Sequence, residues 1–209
     1  GINIDFENIA LKDKDLLTQF VRELYPLFKE YNMWVTMDVS PISTSENWSM
    51  SFDRKRLAET TDYLILMAYD QHWAASPIAG SVAQYSWVEK SINGVLQEIP
   101  KDKLILAVPY YTRLWIIEDG KVSSQALSMD IANKFIEENE INLIWDEESM
   151  QYYGEMEKDN KEYKIWVEDG ESLKYKVSLV NKYDLAGVAS WRKGFETTDI
   201  WTSIDKVLD

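Results

Sequence analysis

The chain has 209 residues, 45% hydrophobic and 28% charged, a balance that excludes disordered, collagenous and low-complexity classes and suits one domain or a large piece of one. Against 22 Lys and Arg stand 36 Asp and Glu, a formal net charge of -14; so acidic a chain repels phosphate, which argues against nucleic acid and anionic membrane as partners. There is no cysteine and one histidine, His72, so disulfide frameworks, thiol nucleophiles and zinc sites built on Cys or paired His are excluded.

Residues 2–7 (INIDFE) alternate as a strand, and residues 13–31 follow as an amphipathic helix. In that helix Leu16, Leu17, Phe20, Leu24, Leu27, Phe28 and Tyr31 recur at helical spacing, Asp13 or Asp15 is the N-cap, and Pro26 kinks or splits it. Residues 33–39 form the second strand, followed by a Ser-rich loop and a short helix near 53–61. Residues 63–69 (YLILMAY) are an unbroken apolar run, the pattern of a strand buried on both faces. A helix over 86–98, a strand over 104–110 and a helix over 128–139 continue the alternation. Residues 143–168 break it with three β-rich pieces, which read as a small antiparallel insertion with a polar Lys-Asp-Asn-Lys turn. Helix 172–183, strand 186–191 and helix 199–208 close the chain.

Strands alternating with helices give βαβ units and a parallel sheet. Only five such strands are read, so the sheet cannot close into an eight-stranded barrel and its unpaired edges either stay open or pair with another copy. No internal repeat and no linker divides the chain, and no apolar run reaches the ~20 residues of a membrane span. The first residues already read as a strand, so a fragment is expected.

Asn3, Asp5 and Glu7 alternate with Ile2, Ile4 and Phe6, and therefore share one face of the first strand. The third strand runs into Tyr69, Asp70, Gln71, His72 and Trp73. The fourth runs into Tyr110, Tyr111 and Arg113, then Trp115, and the fifth ends at Trp191. In parallel α/β proteins the C-terminal strand ends build the active site. Carboxylates with flat aromatic rings suit carbohydrate chemistry, the first as proton donors and the second as stacking platforms. The plainer alternatives are a solvated acidic strand, and tyrosines and tryptophans that only pack. No dinucleotide, P-loop or G-x-S-x-G signature occurs, and neither cofactor nor metal is expected.

GINIDFE resembles the end of the D-G-x-D-x-D-x-E motif of glycoside hydrolase family 18, the chitinase-like enzymes. MAYDQHW (67–73) is similar to that family's M-x-Y-D segment, VPYYTRLW (108–115) to its P-[FY]-Y-x-R segment, and AGVASWRKGFE (186–196) to its last strand. The resemblance covers the whole chain from the family's fourth strand. It implies an α/β fold that is a partial (β/α)8 TIM barrel, strands 4 to 8, with a small antiparallel β insertion at 143–168 between the last two barrel strands. Residues 1–209 are then the C-terminal part of the catalytic domain. The flavour is closest to spore cortex-lytic and germination-type enzymes, which implies a peptidoglycan or chitin-like glycan as partner and a secreted, cell-wall or spore location.

The resemblance further implies hydrolysis of β-1,4 bonds next to N-acetylglucosamine by substrate-assisted retaining catalysis. Glu7 is the general acid and then base, held protonated by burial and a nearby carboxylate. Asp5 holds the acetamido N–H, and Tyr69 orients the acetamido oxygen. Asp70, Gln71, Tyr110, Tyr111 and Arg113 bind the sugar, with Tyr110 or Tyr111 turned away, and Trp191 lies beneath its ring. Asn3 departs from the motif, where Asp is usual. It cannot release a proton, so Asp5 is expected to stay ionised over a wider pH range. Trp48, Trp73 and Trp115 are candidate outer sugar platforms. His72 is structural or a substrate-edge contact, and Trp87, Trp145, Trp166 and Trp201 are packing. The alternative functions are a carbohydrate-binding module that no longer cleaves and an assembly piece with open sheet edges. The chain taken alone is expected to have weak or no activity.

Overall fold

The computed structural model describes residues 1–208, which divide into two compact units. The first comprises residues 1–68, 89–107 and 180–189; the second comprises the described residues of 69–88, 108–179 and 190–208.

The first unit is built on a parallel sheet. Its strands are β1 (Ile2–Ile4), β2 (Val35–Val39), β3 (Tyr63–Met67), β4 (Leu104–Pro109) and β10 (Gly187–Trp191), in the order β1-β2-β3-β4-β10, the last two residues of β4 and of β10 being counted with the second unit. β1 pairs parallel with β2, β2 with β3 and β3 with β4. β1 and β10 are the two edges, so the five strands form an open sheet, as the strand count requires. β1 is shorter than the alternation predicts. Its ladder covers Ile2↔Val35, Asn3↔Thr36 and Ile4↔Met37, and Asp5 to Glu7 continue beyond the last paired residue.

β2 shows why the sheet holds. Val35, Met37 and Val39 are fully buried on one face and Thr36 and Asp38 occupy the other. Leu64, Leu66, Leu104 and Leu106 are fully buried with them, as are Val21 of helix α1 (Lys14–Lys29) and Leu57 of α2 (Arg54–Glu59). Each such side chain contributes roughly 1.5–3 kcal/mol. α1 runs through Pro26 without splitting, and Asp13 stands at its start with no side-chain cap bond. Its buried face is Leu17, Thr18 and Val21, whereas Leu16, Leu27 and Tyr31 are exposed. Asp53 caps α2 by accepting the Arg56 N–H at 3.1 Å. Buried Arg54 organises the Ser-rich loop, donating to the Ser40 carbonyl at 2.9 Å and to Ser49 Oγ at 2.9 Å. Helix α3 (Tyr85–Val95) lies at the passage from the second unit back to the first.

In the second unit the antiparallel sheet is larger than the sequence predicts. Its strands are β5 (Tyr111–Glu118), β6 (Lys121–Ser128), β7 (Leu143–Asp146), β8 (Gln151–Lys158) and β9 (Lys161–Val167), in the order β6-β5-β9-β8-β7. The expected pieces at 143–168 are three of the five. The hairpin β5–β6 was not expected, although its turn is Asp119-Gly120 with φ of 49° and 74°, the signature of a two-residue hairpin loop. Helix α4 (Met129–Glu138) follows β6 after Ser128, whose hydroxyl accepts the Ile131 N–H. Its Ala132, with Leu114, Leu127, Ile165 and Val167, forms the core of this sheet, against which Phe135, Ile136, Leu143 and Tyr163 pack.

A buried ion pair ties β9 to helix α5 (Gly170–Tyr183). Lys176 Nζ donates to both carboxylate oxygens of Glu168 at 2.9 Å, and both side chains are wholly buried. Gln151 of β8 and Ser172 of α5 donate to the same carboxylate at 2.9 and 2.8 Å, and the Glu168 N–H donates to Thr112 Oγ1 of β5 at 2.8 Å. Helix α6 (Asp199–Leu208) ends the unit, burying Ile200 and Ile204.

Removing one partner of a buried pair leaves the other charge uncompensated. Lys176→Met is therefore expected to cost about 3–5 kcal/mol in urea unfolding. The double substitution Lys176→Met with Glu168→Gln should recover most of that loss, and a single variant as stable as the unmodified chain would contradict this role.

Candidate active site

The residues singled out by sequence fall into two clusters, one in each unit. In the first unit the parallel ladder sets Asn3 beside Thr36 and brings Asp38 within reach. The Asn3 amide bridges the two: the Thr36 hydroxyl donates to Asn3 Oδ1 at 2.8 Å, and Asn3 Nδ2 donates to Asp38 Oδ2 at 2.9 Å. Asp5 and Glu7 are exposed beyond the end of β1, and their charges act on the Asp38 carboxyl. Burial pushes Asp38 up to about 6; the Asn3 hydrogen bond opposes this, and the charges of Asp5 and Glu7 add to it. Thus the burial expected for Glu7 is found one strand away, at Asp38. Glu7 itself is exposed. Sequence reasoning missed Asp38, for although MWVTMDV alternates, nothing in it says that its polar face adjoins Asn3.

In the second unit Tyr69, Asp70, Tyr111, Arg113 and Trp191 come together. The Tyr111 hydroxyl donates to Asp70 Oδ1 at 2.5 Å, and Arg113 Nη2 lies 3.6 Å from the same oxygen. Burial, reinforced by the Asp70 carboxylate, raises the Tyr111 phenol well above its ordinary value, so it remains a donor. Asp70 has φ of 58°, the left-handed region that Asp tolerates better than most residues. Arg113 Nη1 donates to Ser124 Oγ at 3.2 Å, and Ser124 Oγ to the Ala74 carbonyl at 3.2 Å, so β6 braces the cluster. Among the described residues Arg113 Nε is a buried donor with no partner. Trp191 is 43% exposed. Its ring centroid lies 5.3 Å from that of Tyr111 and 6.4 Å from that of Tyr69, and Phe195 is packed on it at 6.0 Å.

The remaining candidates are engaged elsewhere. Tyr110 is buried with its ring edge-on to Trp201, 6.1 Å between centroids, so of the adjacent tyrosines it is Tyr111 that joins the cluster. Gln71 is paired with Gln84, donating to its side chain at 3.1 Å and accepting its backbone N–H at 3.0 Å. Trp115, expected as an outer platform, is fully buried and donates to the Gly80 carbonyl at 2.9 Å, so it packs. His72 takes the structural role: its Nδ1 meets the Ser81 carbonyl at 2.8 Å, and a Cβ on Gly80 would lie 2.4 Å from its ring. Trp73 is exposed and Trp48 half-buried.

Residues 1–195 match the Glycosyl hydrolases family 18. The chain belongs to this family. It is 28% identical over 196 residues to YdhD of Bacillus subtilis, whose name carries the words sporulation-specific glycosylase, covering 92% of this chain and 46% of that protein. It is 23% identical to the cortical fragment-lytic enzyme of the same organism, covering 96% of this chain and 48% of the relative. The chain thus spans about half the length of these two relatives. A chitinase structure from Chromobacterium violaceum aligns with a TM-score of 0.89 and 23% identity, over all of this chain and 66% of that one; that likeness shows the fold, the parallel sheet being part of a TIM-type barrel.

A hydrogen bond to a buried or half-buried carboxylate contributes about 1.5–3 kcal/mol. Tyr111→Phe, which keeps the ring and removes the donor to Asp70, is expected to lower the unfolding free energy by about that amount. A urea midpoint equal to that of the unmodified chain would show that the bond adds nothing.

Proposed function

We propose that the chain carries the acid–base machinery of a glycosidase that hydrolyses β-1,4 bonds next to N-acetylglucosamine in peptidoglycan or chitin-like glycans. The observation that carries this reading is the glutamate at the last position of the family motif, Glu7, in a chain of this family. A binding module that had lost cleavage would not need a proton donor there.

In this reading the substrate supplies its own nucleophile. The acetamido oxygen attacks the anomeric carbon while Glu7 gives its proton to the glycosidic oxygen, and the carbon–oxygen bond to the leaving sugar breaks. The product of this step is an oxazolinium ring. Glu7, now a carboxylate, takes a proton from water as the water oxygen opens that ring, which returns the original configuration. Asp5 holds the acetamido N–H and balances the positive charge that develops. Tyr69 orients the acetamido oxygen, and positioning of this kind can replace up to about 7–11 kcal/mol of orientation entropy.

Within the second unit, one cluster has chemistry suited to sugar binding. Asp70 and Arg113 supply an acceptor and donors for hydroxyl and acetamido groups, and the unpartnered Arg113 Nε suits such an acceptor. The exposed indole of Trp191 suits stacking under a sugar ring. The spore- and cortex-related names of the relatives point to cell-wall glycan of spores as the substrate and to a secreted or spore-associated location.

Chromogenic N-acetylglucosamine oligomers and peptidoglycan fragments test this. In the intact protein, Glu7→Gln is expected to lower turnover by about 10²–10⁴-fold while oligomer binding stays within a few-fold. Trp191→Ala should weaken binding. Cleavage by Glu7→Gln at the unmodified rate would overturn the proposal.

A further inference from the structure

The antiparallel sheet of the second unit commits one face to its core. Leu114 of β5 and Ile165 of β9 lie opposite each other and are buried there with Ala132 of α4. Side chains alternate along a strand, so the next residues on the two strands, Arg113 and Trp166, belong to the other face. Trp166 is paired in turn with Tyr153 of β8, and Tyr153 with Ile144 of β7. One row therefore crosses four strands, from Arg113 through Trp166 and Tyr153 to Ile144. Adjacent strands lie about 4.8 Å apart, so Tyr153 stands roughly 10 Å from Arg113 along this row, the length of a disaccharide.

The far part of the row is open. Ile144, Trp145, Asp146, Tyr153 and Trp166 line a cavity of about 370 Å³, within the size range of small-ligand sites. Ile144 is exposed, and Tyr153 and Trp166 are half-buried. The Tyr153 and Trp166 rings lie 4.7 Å apart between centroids, inclined by 46°. The Tyr153 hydroxyl donates to Glu155 Oε2, which holds its ring in place. At the rim, the Asp146 carboxylate is steadied by the Ser149 hydroxyl at 2.5 Å. Ring faces suit the C–H faces of a pyranose, and carboxylate oxygens accept from its hydroxyls. A neutral glycan suits the place better than an anion, because the chain carries a net charge of -14.

We propose that Trp166 and Tyr153, with Asp146 at their rim, form an outer subsite that takes a further N-acetylhexosamine unit of the glycan held at Arg113. The inference rests on the glycosidase reading above, to which it adds a preference for longer chains. Continuity carries it: Trp166 is one strand from Arg113 on the same face, and the cavity begins at Trp166.

Binding of the β-1,4-linked N-acetylglucosamine dimer and pentamer to the intact protein tests this, by titration calorimetry in a Glu7→Gln background. The pentamer is expected to bind more tightly than the dimer, and Trp166→Ala to weaken pentamer binding about tenfold. Trp166→Phe, which retains a ring, should recover most of that loss. Ile131→Ala, at an exposed position on α4, should change nothing. A second measurement needs no alanine variant: the indole N–H signal of Trp166, identified in proton–nitrogen NMR by its loss in Trp166→Phe, should shift when the pentamer is added. An indole signal that the pentamer leaves in place, or equal pentamer affinity with and without Trp166→Ala, would overturn the proposal. So would a Trp166→Ala effect confined to sedimentation, which would make this face a protein contact. If the unmodified protein cleaves none of these oligomers, the glycosidase reading falls, while the indole shift still decides the subsite.

Discussion

Parallel pairing of β1 with β2 is the constraint on which the acidic cluster depends. β1 offers only three ladder positions, Ile2, Asn3 and Ile4, and each is matched to a residue of β2. That register sets Asn3 beside Thr36, and the amide then spans from the Thr36 hydroxyl to the Asp38 carboxylate. A slip of one residue would turn Asn3 to the opposite face and bring Ile4 among the carboxylates. The buried faces prevent it: Ile4, Val35, Met37 and Val39 all need the apolar side.

A polar face of this kind works against the stability of the sheet that holds it. Asp38 is half-buried beside two other acids, and burial alone would favour its neutral form. The fold tolerates this because the opposite face of the same strands is fully apolar. The second unit meets the same conflict differently. Its Asp70 is satisfied by the Tyr111 hydroxyl and lies near the Arg113 guanidinium, and Arg113 is itself braced by Ser124. β5 and β6, which carry Tyr111, Arg113 and Ser124, belong to the sheet whose β5, β8 and β9 converge with α5 on the buried Glu168–Lys176 network.

Local pattern carried much of this architecture. The apolar run of β3, the strand–helix alternation and the aromatic and charged strand ends were legible because each is set by neighbours in the chain. The β5–β6 hairpin was legible too, through Asp119-Gly120, but the P-[FY]-Y-x-R resemblance drew the reading of 108–115 toward chemistry and away from the strand it opens. Trp115 differs from expectation for another reason. It is fully buried and donates to the Gly80 carbonyl, 35 residues away, and no local pattern reports a partner at that distance. Gln71 finds its partner in Gln84 across a loop, and Asp38 is 35 residues from Asn3.

The Asn3–Asp38 pair shows how a motif position can change while its surroundings keep a comparable charge. A strand neighbour is close enough to replace a carboxyl lost from the motif, since adjacent strands lie about 4.8 Å apart and residues on one face point the same way. The replacement is not equivalent. An aspartate at position 3 would put a proton-exchanging group on β1 itself, two residues before Asp5. Asp38 reaches Asp5 and Glu7 through space and touches the motif through an amide that cannot relay a proton. The arrangement therefore keeps electrostatic coupling and gives up proton sharing.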